Sequence, residues 1–203
     1  MAVLIVLRGN SGSGKTALSK RLQEALGPNT MRISHDTVRM EILNVRGEEG
    51  VRRSTPLLIE LLRYGRAHSA VTILEGILPS SAYAPLFAAA ADLFGAENLF
   101  AYYYDLPFAE TLARHATKPN RADFGEAEMR RWWQGRDLAS SLRETVFGPE
   151  LSLEAAAAQV LRDVRGEKKT RPKNPRIVFQ IYRPTKFPSI LGLLVPDVHI
   201  VFR

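Results

Sequence analysis

The chain has 203 residues, 45% of them apolar and 24% charged, which is typical of one globular domain with or without an appendage. It contains no cysteine, so disulfide scaffolds, thiol nucleophiles and cysteine-ligated zinc sites are excluded, and its four histidines lack the paired spacing of a metal site. The net charge is +7, but residues 1–165 carry 20 Lys and Arg against 19 Asp and Glu, which argues against nucleic acid as a partner of this part.

The first predicted strand, residues 2–7, is a continuous apolar run of the kind found in the centre of a parallel sheet. It is far too short to span a bilayer and no charged-then-apolar leader precedes it, so we expect a cytoplasmic protein without a membrane partner. A glycine-rich loop follows the strand. Next comes a predicted helix with Leu18, Leu22 and Leu26 on one face, which ends at Gly27.

The glycine-rich loop matches the phosphate-binding pattern G-x4-G-K-[ST] in full. Glycines allow successive backbone N–H groups to point into one concavity, and the helix N-terminus behind them attracts the same anion. Lys15 is predicted to be catalytic by bridging the β- and γ-phosphates, and the Thr16 hydroxyl to ligate Mg²⁺. The predicted nucleotide-binding residues, for ATP or GTP, are Gly9, Asn10, Ser11, Gly12, Ser13, Gly14, Lys15 and Thr16.

The rest of the body alternates strands and helices. Strands are predicted at residues 31–34, 71–75, 99–104 and 144–147, and helices around residues 56–64, 83–94, 126–133 and, capped by Ser152, 152–164. This order predicts an α/β fold of the P-loop NTPase type, nucleoside-kinase-like, in which a parallel sheet has helices on both faces and a helical lid. Ligands of such sheets bind at the carboxyl ends of the strands.

Two carboxylates follow strands at that edge. Asp36 comes after the second strand, and Arg39 lies three residues on, so a helix beginning near Asp36 places both on one side of its first turn. Asp36 is predicted to accept the proton of an attacking hydroxyl and Arg39 to hold a polar or anionic substrate group; the alternative is that Asp36 only caps the helix. Glu75 ends the third strand and is predicted to bind Mg²⁺ or orient the acceptor.

A lid is predicted after the fourth strand. Cations there would neutralise charge on the transferring phosphoryl group and closure would exclude water. Arg114 and Arg121 are the predicted catalytic lid residues, and Lys118, Arg130 and Arg131 are further candidates. Trp132 and Trp133 are interpreted as packing residues, and His115 as a capping or surface residue.

The final segment, residues 166–203, differs in composition from the body. It carries 8 Lys and Arg against 2 Asp and Glu and holds five of the twelve prolines. We therefore predict a domain at residues 1–165 followed by a basic, proline-containing extension at residues 166–203 that is loosely coupled or disordered. Nucleic acid stays open as a partner of this extension.

Three segments within about residues 1–120 carry a resemblance to a known family: the P-loop, His-Asp-Thr-Val-Arg at residues 35–39, and Leu-Glu-Gly at residues 74–76. They resemble P-loop kinases of the zeta-toxin, polynucleotide-kinase and antibiotic-phosphotransferase group, and most closely the zeta toxins. The resemblance implies an ATP- or GTP-dependent phosphotransferase. It also implies that Asp36 is the base acting on the substrate hydroxyl and that Glu75 helps to bind substrate.

The predicted function is therefore ATP-dependent transfer of the γ-phosphate to a hydroxyl of a small molecule such as a nucleoside, a sugar nucleotide or an antibiotic-like compound. The alternatives are a polynucleotide 5′-hydroxyl kinase, a P-loop ATPase or nucleotide-binding regulatory protein, and a module that binds nucleic acid through the basic extension. The sequence leaves open the acceptor, the choice between ATP and GTP, and the oligomeric state.

Overall fold

A computed structural model describes residues 2–117 and 124–166 and has a sheet of five parallel strands at its centre. The strands are β1 (Val3–Gly9), β2 (Thr30–Ser34), β3 (Val71–Gly76), β4 (Leu99–Tyr104) and β5 (Thr145–Phe147), in the order β2-β3-β1-β4-β5. All five predicted strands are confirmed to within two residues at each end. Residues 167–203 lie outside the described part, so the division into a domain and an extension stays a prediction.

Helices connect and follow the strands. They are α1 (Lys15–Leu26), α2 (Gly47–His68), α3 (Ala84–Phe94), α4 (Phe108–Ala116), α5 (Glu126–Trp132) and α6 (Leu153–Val164), with a π-helical turn at Thr37–Ile42 and a short 3-10 helix at Ser140–Leu142. Ser152 caps α6 as predicted, because its hydroxyl accepts a hydrogen bond from the Ala155 N–H at 3.2 Å. Within the described residues, no helix is long and apolar enough to cross a membrane.

Helix α2 extends well beyond the predicted residues 56–64. The helix was predicted around residues 56–64, whereas the structure has Pro56 in the helix interior. Leu58 and Leu62 are fully buried in the core, and Val51 packs against the same core one turn before Pro56. Burial of this face outweighs the backbone hydrogen bond that proline cannot donate.

Side chains on both faces of β1 explain why helices cover the sheet on both sides. Leu4 and Val6 belong to one core cluster with residues of α2 and α3, and Ile5 and Leu7 belong to a second cluster with residues of α1 and α6. The predicted α/β architecture is confirmed. Because all strands are parallel, the loops that follow β1, β2 and β3 open at the same edge of the sheet, where the predicted site lies.

Arg8, next to last in β1, is completely buried, which the sequence analysis did not anticipate. Its guanidinium donates to the carbonyl of Leu78 at 2.9 Å, to the carboxylate of Glu144 at 2.9 Å and to that of Asp137 at 2.8 Å. These bonds tie the strand that leads into the P-loop both to the segment after β3 and to the connection between α5 and β5.

Candidate active site

The loop between β1 and α1 surrounds the ammonium group of Lys15. Lys15 Nζ donates to the carbonyl of Asn10 at 2.8 Å and to Ser13 Oγ at 3.2 Å. Gly14, with a φ of 102°, directly precedes the first residue of α1, so the N–H groups of the first helical turn adjoin the loop. A lysine ammonium and a helix N-terminus are thus presented together, which is the arrangement that holds phosphate.

Two glycines of this loop are also required by packing. Gly9 has a φ of 136°, and a Cβ there would lie 2.8 Å from the carbonyl oxygen of Tyr104. Gly12 has a φ of 82°, and a Cβ there would lie 2.3 Å from the carbonyl oxygen of Thr111 in α4. The loop is therefore held against the end of β4 and the backbone of α4, a reason for glycine that the motif alone did not reveal.

The Asn10 side chain has a partner that the sequence did not predict. Its Nδ2 donates to the carbonyl of Gln134 at 2.7 Å, and its Oδ1 accepts from the Gln134 N–H at 2.9 Å. The side chain thereby ties the P-loop to the segment just after α5. Any contribution of Asn10 to nucleotide binding is thus expected from its backbone.

Thr16 and Glu75, the two predicted Mg²⁺ ligands, are in contact. The Thr16 hydroxyl donates to the Glu75 carboxylate, with Oγ1 3.2 Å from Oε1. A hydroxyl and a carboxylate supply oxygen donors, which Mg²⁺ prefers, so the pair fits the predicted ion. Glu75 is buried, and Arg32 of β2 balances its charge with Nη1 3.8 Å from Oε1. The sequence analysis missed Arg32, because no local pattern pairs it with Glu75, 43 residues away.

Asp36 lies just after β2 with its side chain 73% exposed, and His35 Nδ1 is 3.6 Å from its Oδ1. The His35 imidazole lowers the pKa of Asp36, and the positive charges of Lys15 and Arg39 lower it further. Asp36 is therefore ionised at neutral pH and lies within electrostatic range of the P-loop lysine. Its side chain makes no capping hydrogen bond, so a purely capping role is not observed.

Arg39 lies in the π-helical turn, three residues after Asp36. Its guanidinium rests on Gly50 of α2, where a Cβ would come within 2.6 Å of Nη2. Burial raises the pKa of the Tyr83 hydroxyl, while the charge of Arg39 lowers it and that of Asp36 raises it. The charges of Asp36 and Arg39, two of the three predicted substrate-binding residues, thus both act on one buried tyrosine, and their role in substrate binding stays a prediction.

Arg114 of α4 reaches the P-loop. Its Nη1 donates to the carbonyl of Ser13 at 3.2 Å and its Nη2 to the carbonyl of Pro149 at 3.0 Å, while Nε pairs with Glu110 at 2.6 Å. The structure thus brings this predicted lid residue to the phosphate loop. Its catalytic role stays a prediction.

The other lid candidates are placed differently. Lys118 and Arg121 lie outside the described residues. Arg130 and Arg131 are exposed and pair with glutamates of α5 itself, at N–O distances of 2.6 Å and 3.3 Å. The structure therefore does not connect these last two arginines with the P-loop.

The aromatic residues of this region pack together. The rings of Trp132 and Trp133 lie 5.2 Å from those of Phe124 and Phe108, respectively, which agrees with the predicted packing role. His115 is buried, with Nε2 2.8 Å from the carbonyl oxygen of Phe124, so the expectation of a surface or capping residue was wrong. Its ring stacks on Phe124 and fills space between α4 and the start of α5.

Comparison with known proteins supports this fold. A family model described as an AAA domain matches residues 4–138, about two thirds of the chain. No protein of curated function matches the chain in sequence.

Three solved structures illustrate the structural likeness. A gluconokinase from Sinorhizobium meliloti 1021 is 15% identical, with a TM-score of 0.55 over 81% of this chain and 92% of that one. A shikimate kinase from Acinetobacter baumannii, in complex with shikimate, is 17% identical, with a TM-score of 0.54 over 83% and 96%. An APS kinase from Mycobacterium tuberculosis, in complex with AMPPNP and APS, is 17% identical, with a TM-score of 0.56 over 81% and 98%. The fold is accordingly that of a P-loop NTPase of the kinase type, as predicted.

Proposed function

The chain belongs to the AAA domain family, and from this premise we propose that it is an ATP-dependent kinase that transfers the γ-phosphate to a hydroxyl group of a small molecule. One observation carries the proposal. The Thr16 hydroxyl, next to Lys15, contacts Glu75 at the end of β3, and Ser34 at the end of β2 pairs with Glu75, so Asp36 follows at the same edge of the sheet as the P-loop. An anion-binding cation and a carboxylate that is ionised at neutral pH therefore lie at one edge, and the charge of Lys15 contributes to the lowered pKa of Asp36.

The loop residues have separable roles in this proposal. The N–H groups at the start of α1 and the Lys15 ammonium bind the phosphates and neutralise charge on the group in transfer. Thr16 and Glu75 would hold Mg²⁺, which supplies further neutralisation when it is bound with the nucleotide. Arg114, which is hydrogen-bonded to the loop at Ser13, would add a positive charge near the γ-phosphate.

Asp36 and Arg39 form the acceptor side of the site. Asp36 would accept the proton of the acceptor hydroxyl as that oxygen attacks the γ-phosphorus. Arg39, three residues after Asp36, would bind a polar or anionic group of the acceptor and so hold the hydroxyl in line with the nucleotide.

Two further considerations support a small-molecule acceptor. The neighbours of similar fold are named as kinases of gluconate, shikimate and APS, all small molecules. The acidic and basic groups at residues 35–39 and 74–76 also fit the proposed likeness to the zeta-toxin, polynucleotide-kinase and antibiotic-phosphotransferase group. A polynucleotide 5′-hydroxyl would enter the same site and is therefore a distinct outcome of the test.

The proposal is tested by incubating the full chain with γ-labelled ATP, Mg²⁺ and panels of nucleosides, sugar nucleotides, hydroxy acids, aminoglycoside-like compounds and 5′-hydroxyl oligonucleotides. Transfer of label to a small-molecule acceptor is expected. Lys15→Ala should abolish turnover. Asp36→Asn should lower kcat for transfer by at least about 100-fold while leaving ATP affinity unchanged, because it removes the base and not a phosphate contact.

The matched control is Asp92→Asn, which alters an exposed aspartate on α3 and should leave transfer unchanged. Release of inorganic phosphate that is equally fast with every acceptor, and equally fast in Asp36→Asn, would identify an ATPase instead. Label on oligonucleotides alone would assign the polynucleotide kinase alternative.

A further inference from the structure

Three buried polar side chains form a chain of contacts that ends at Asp36. Ser54 Oγ of α2 lies 3.2 Å from the hydroxyl of Tyr83, and that hydroxyl lies 2.5 Å from His35 Nε2. On the far side of the imidazole, His35 Nδ1 is 3.6 Å from Asp36 Oδ1. Ser54, Tyr83 and His35 are each at most 1% exposed, whereas the Asp36 side chain reaches solvent. The contacts therefore run from the buried Ser54 outward to the exposed carboxylate of Asp36.

The surroundings fix the position of the His35 ring. Its plane is nearly perpendicular to the Tyr83 ring, at 87°, with centroids 4.9 Å apart. Gly76, at the end of β3, lies directly against the His35 side chain, since a Cβ there would be 2.6 Å from His35 Cβ and 3.1 Å from the ring atom Cγ. A side chain at position 76 would therefore displace His35. The contacts with Gly76 and Tyr83 together restrict the movement of the His35 side chain.

The hydrogen-bond directions follow from the charge of Asp36. If Nε2 carried the hydrogen, the Nδ1 lone pair would face a carboxylate oxygen and repel it. If instead Ser54 donates to the Tyr83 oxygen and Tyr83 donates to Nε2, the ring hydrogen lies on Nδ1 and points at the carboxylate. Among the described residues, the buried Nδ1 has no hydrogen-bond partner, and the nearest carboxylate oxygen given for it is Asp36 Oδ1 at 3.6 Å, so Asp36 is the acceptor that a small rotation would supply.

We propose that His35, held by Tyr83 and Ser54, is a positioning residue that aims the Asp36 carboxylate at the acceptor hydroxyl. The inference rests on the proposed function, in which Asp36 is the base. In the transfer step the acceptor O–H bond breaks and its proton goes to Asp36, the oxygen forms a bond to the γ-phosphorus, and the bond from that phosphorus to ADP breaks. His35 keeps its Nδ1 hydrogen throughout and touches neither substrate.

The electrostatics of the cluster agree with this geometry. His35 is the largest of the influences that lower the pKa of Asp36, ahead of the charges of Lys15 and Arg39, which also face it. Arg39 and Asp36 are in turn the charged groups that act on the Tyr83 hydroxyl. Removing the Nδ1 hydrogen should therefore raise the pKa of Asp36, so that the base becomes ionised only at higher pH.

Two substitutions of His35 test the contributions of its two ring nitrogens separately. His35→Gln places a polar group near the Nε2 position and none at Nδ1, whereas His35→Asn places an amide nitrogen near Nδ1. The pKa of Asp36 is read from its ¹³Cγ resonance in the full-length protein, assigned by loss of the signal in Asp36→Asn. We expect His35→Gln to raise this pKa by about one unit and His35→Asn to raise it less. In transfer assays the acid limb of kcat/KM should move in the same direction by the same amount, with KM for ATP unchanged.

A pair of tyrosine variants provides the matched control. Tyr83→Phe removes the hydroxyl that fixes His35 and should also raise the pKa of Asp36. Tyr102→Phe removes an equally buried hydroxyl, 2.9 Å from Asp163 and in the other core cluster, and should not change the titration of Asp36. A general loss of stability would affect both variants alike.

The proposal is overturned if His35→Gln and Tyr83→Phe leave the Asp36 titration unchanged, or if Tyr102→Phe shifts it as much. If His35→Gln does not fold, Tyr83→Phe and His35→Asn decide the question. The Asp36 titration is measured without any acceptor and does not depend on kinase activity. Absence of transfer in the wild-type chain would refute the proposed kinase function, whereas an unchanged titration in the variants would refute the effect of His35 on Asp36.

Discussion

Gly12 lies where the backbone of a neighbouring helix leaves no space for a side chain. A Cβ at this position would be 2.3 Å from the carbonyl oxygen of Thr111, and φ is 82°. A backbone oxygen cannot move aside as a flexible side chain can, so Gly12→Ala must separate the P-loop from α4. We expect a loss of about 2–4 kcal/mol in the free energy of unfolding, measured by urea denaturation without nucleotide.

Gly27 provides a control for the backbone conformation alone. It also has a positive φ, of 75°, but nothing lies within 4 Å of a Cβ built on it. Gly27→Ala should therefore destabilise the protein by less than Gly12→Ala, by about 1–2 kcal/mol, which is the cost of the backbone conformation alone. Equal losses in the two variants would mean that the contact with Thr111 does not restrict the loop.

The individual site residues differ in how far the sequence could reveal them. Lys15 and Thr16 were predicted from a contiguous motif with the spacing of a phosphate-binding loop, and Asp36 and Glu75 from their positions just after or at the end of a predicted strand. Tyr83 could not be found in this way, because its contact with His35 joins residues 48 apart and depends on how α3 begins. Motifs are local, whereas the groups that orient them are brought together by packing.

At the scale of secondary-structure elements, Arg8 joins β1 to the connection between α5 and β5. Its guanidinium is fully buried with the carboxylate of Glu144, which is 1% exposed, and that of Asp137, which is 21% exposed. Arg8→Met should lower the free energy of unfolding by about 3–5 kcal/mol, because it leaves buried carboxylates without a compensating charge. The measurement is chemical denaturation at pH 7.

The double variant Arg8→Met/Glu144→Leu tests that explanation. It removes the most buried carboxylate together with the arginine, so we expect it to be more stable than Arg8→Met alone. Asp137 retains its hydrogen bond from the Ser80 N–H at 2.8 Å. A double variant that is less stable than Arg8→Met would show that packing by the Glu144 side chain, and not its charge, dominates.

The elements themselves were predicted with unequal success. The strands β1, β3 and β4 were located well because each is a mostly apolar run of strand length, whereas β2 and β5 are short and less apolar, and α6 was located because Ser152 caps it. Helix α2 was predicted too short because Pro56 is a strong local signal, which burial of Leu58 and Leu62 overrides. This burial depends on packing against the sheet, which a short stretch of sequence around Pro56 does not reveal.

At the scale of the whole molecule, the parallel sheet creates the site. Because β1 pairs with both β3 and β4 and β3 pairs with β2, the P-loop, Glu75 and Asp36 follow three neighbouring strands at one edge. The alternation of strands and helices was sufficient to predict this edge, since parallel strands all end there. It could not predict the acceptor, whose contacts depend on the shape formed by α2, the π-helical turn and the segment before α3.

The same architecture leads to a prediction about the last residues of the chain. All five strands and α6 precede Gly166, so the chain shortened to residues 1–166 keeps every described element, while residues 167–203 carry a net charge of +6. We expect this shortened chain to unfold with a free energy within about 0.5 kcal/mol of the full chain and to transfer phosphate at the same rate. If the full chain binds oligonucleotides in a salt-sensitive way, the shortened chain should not, because the positive and negative charges of residues 1–165 nearly balance and the net positive charge lies in residues 167–203. A loss of transfer or of stability on shortening would mean that residues 167–203 complete the kinase, and the proposed domain boundary would then be wrong.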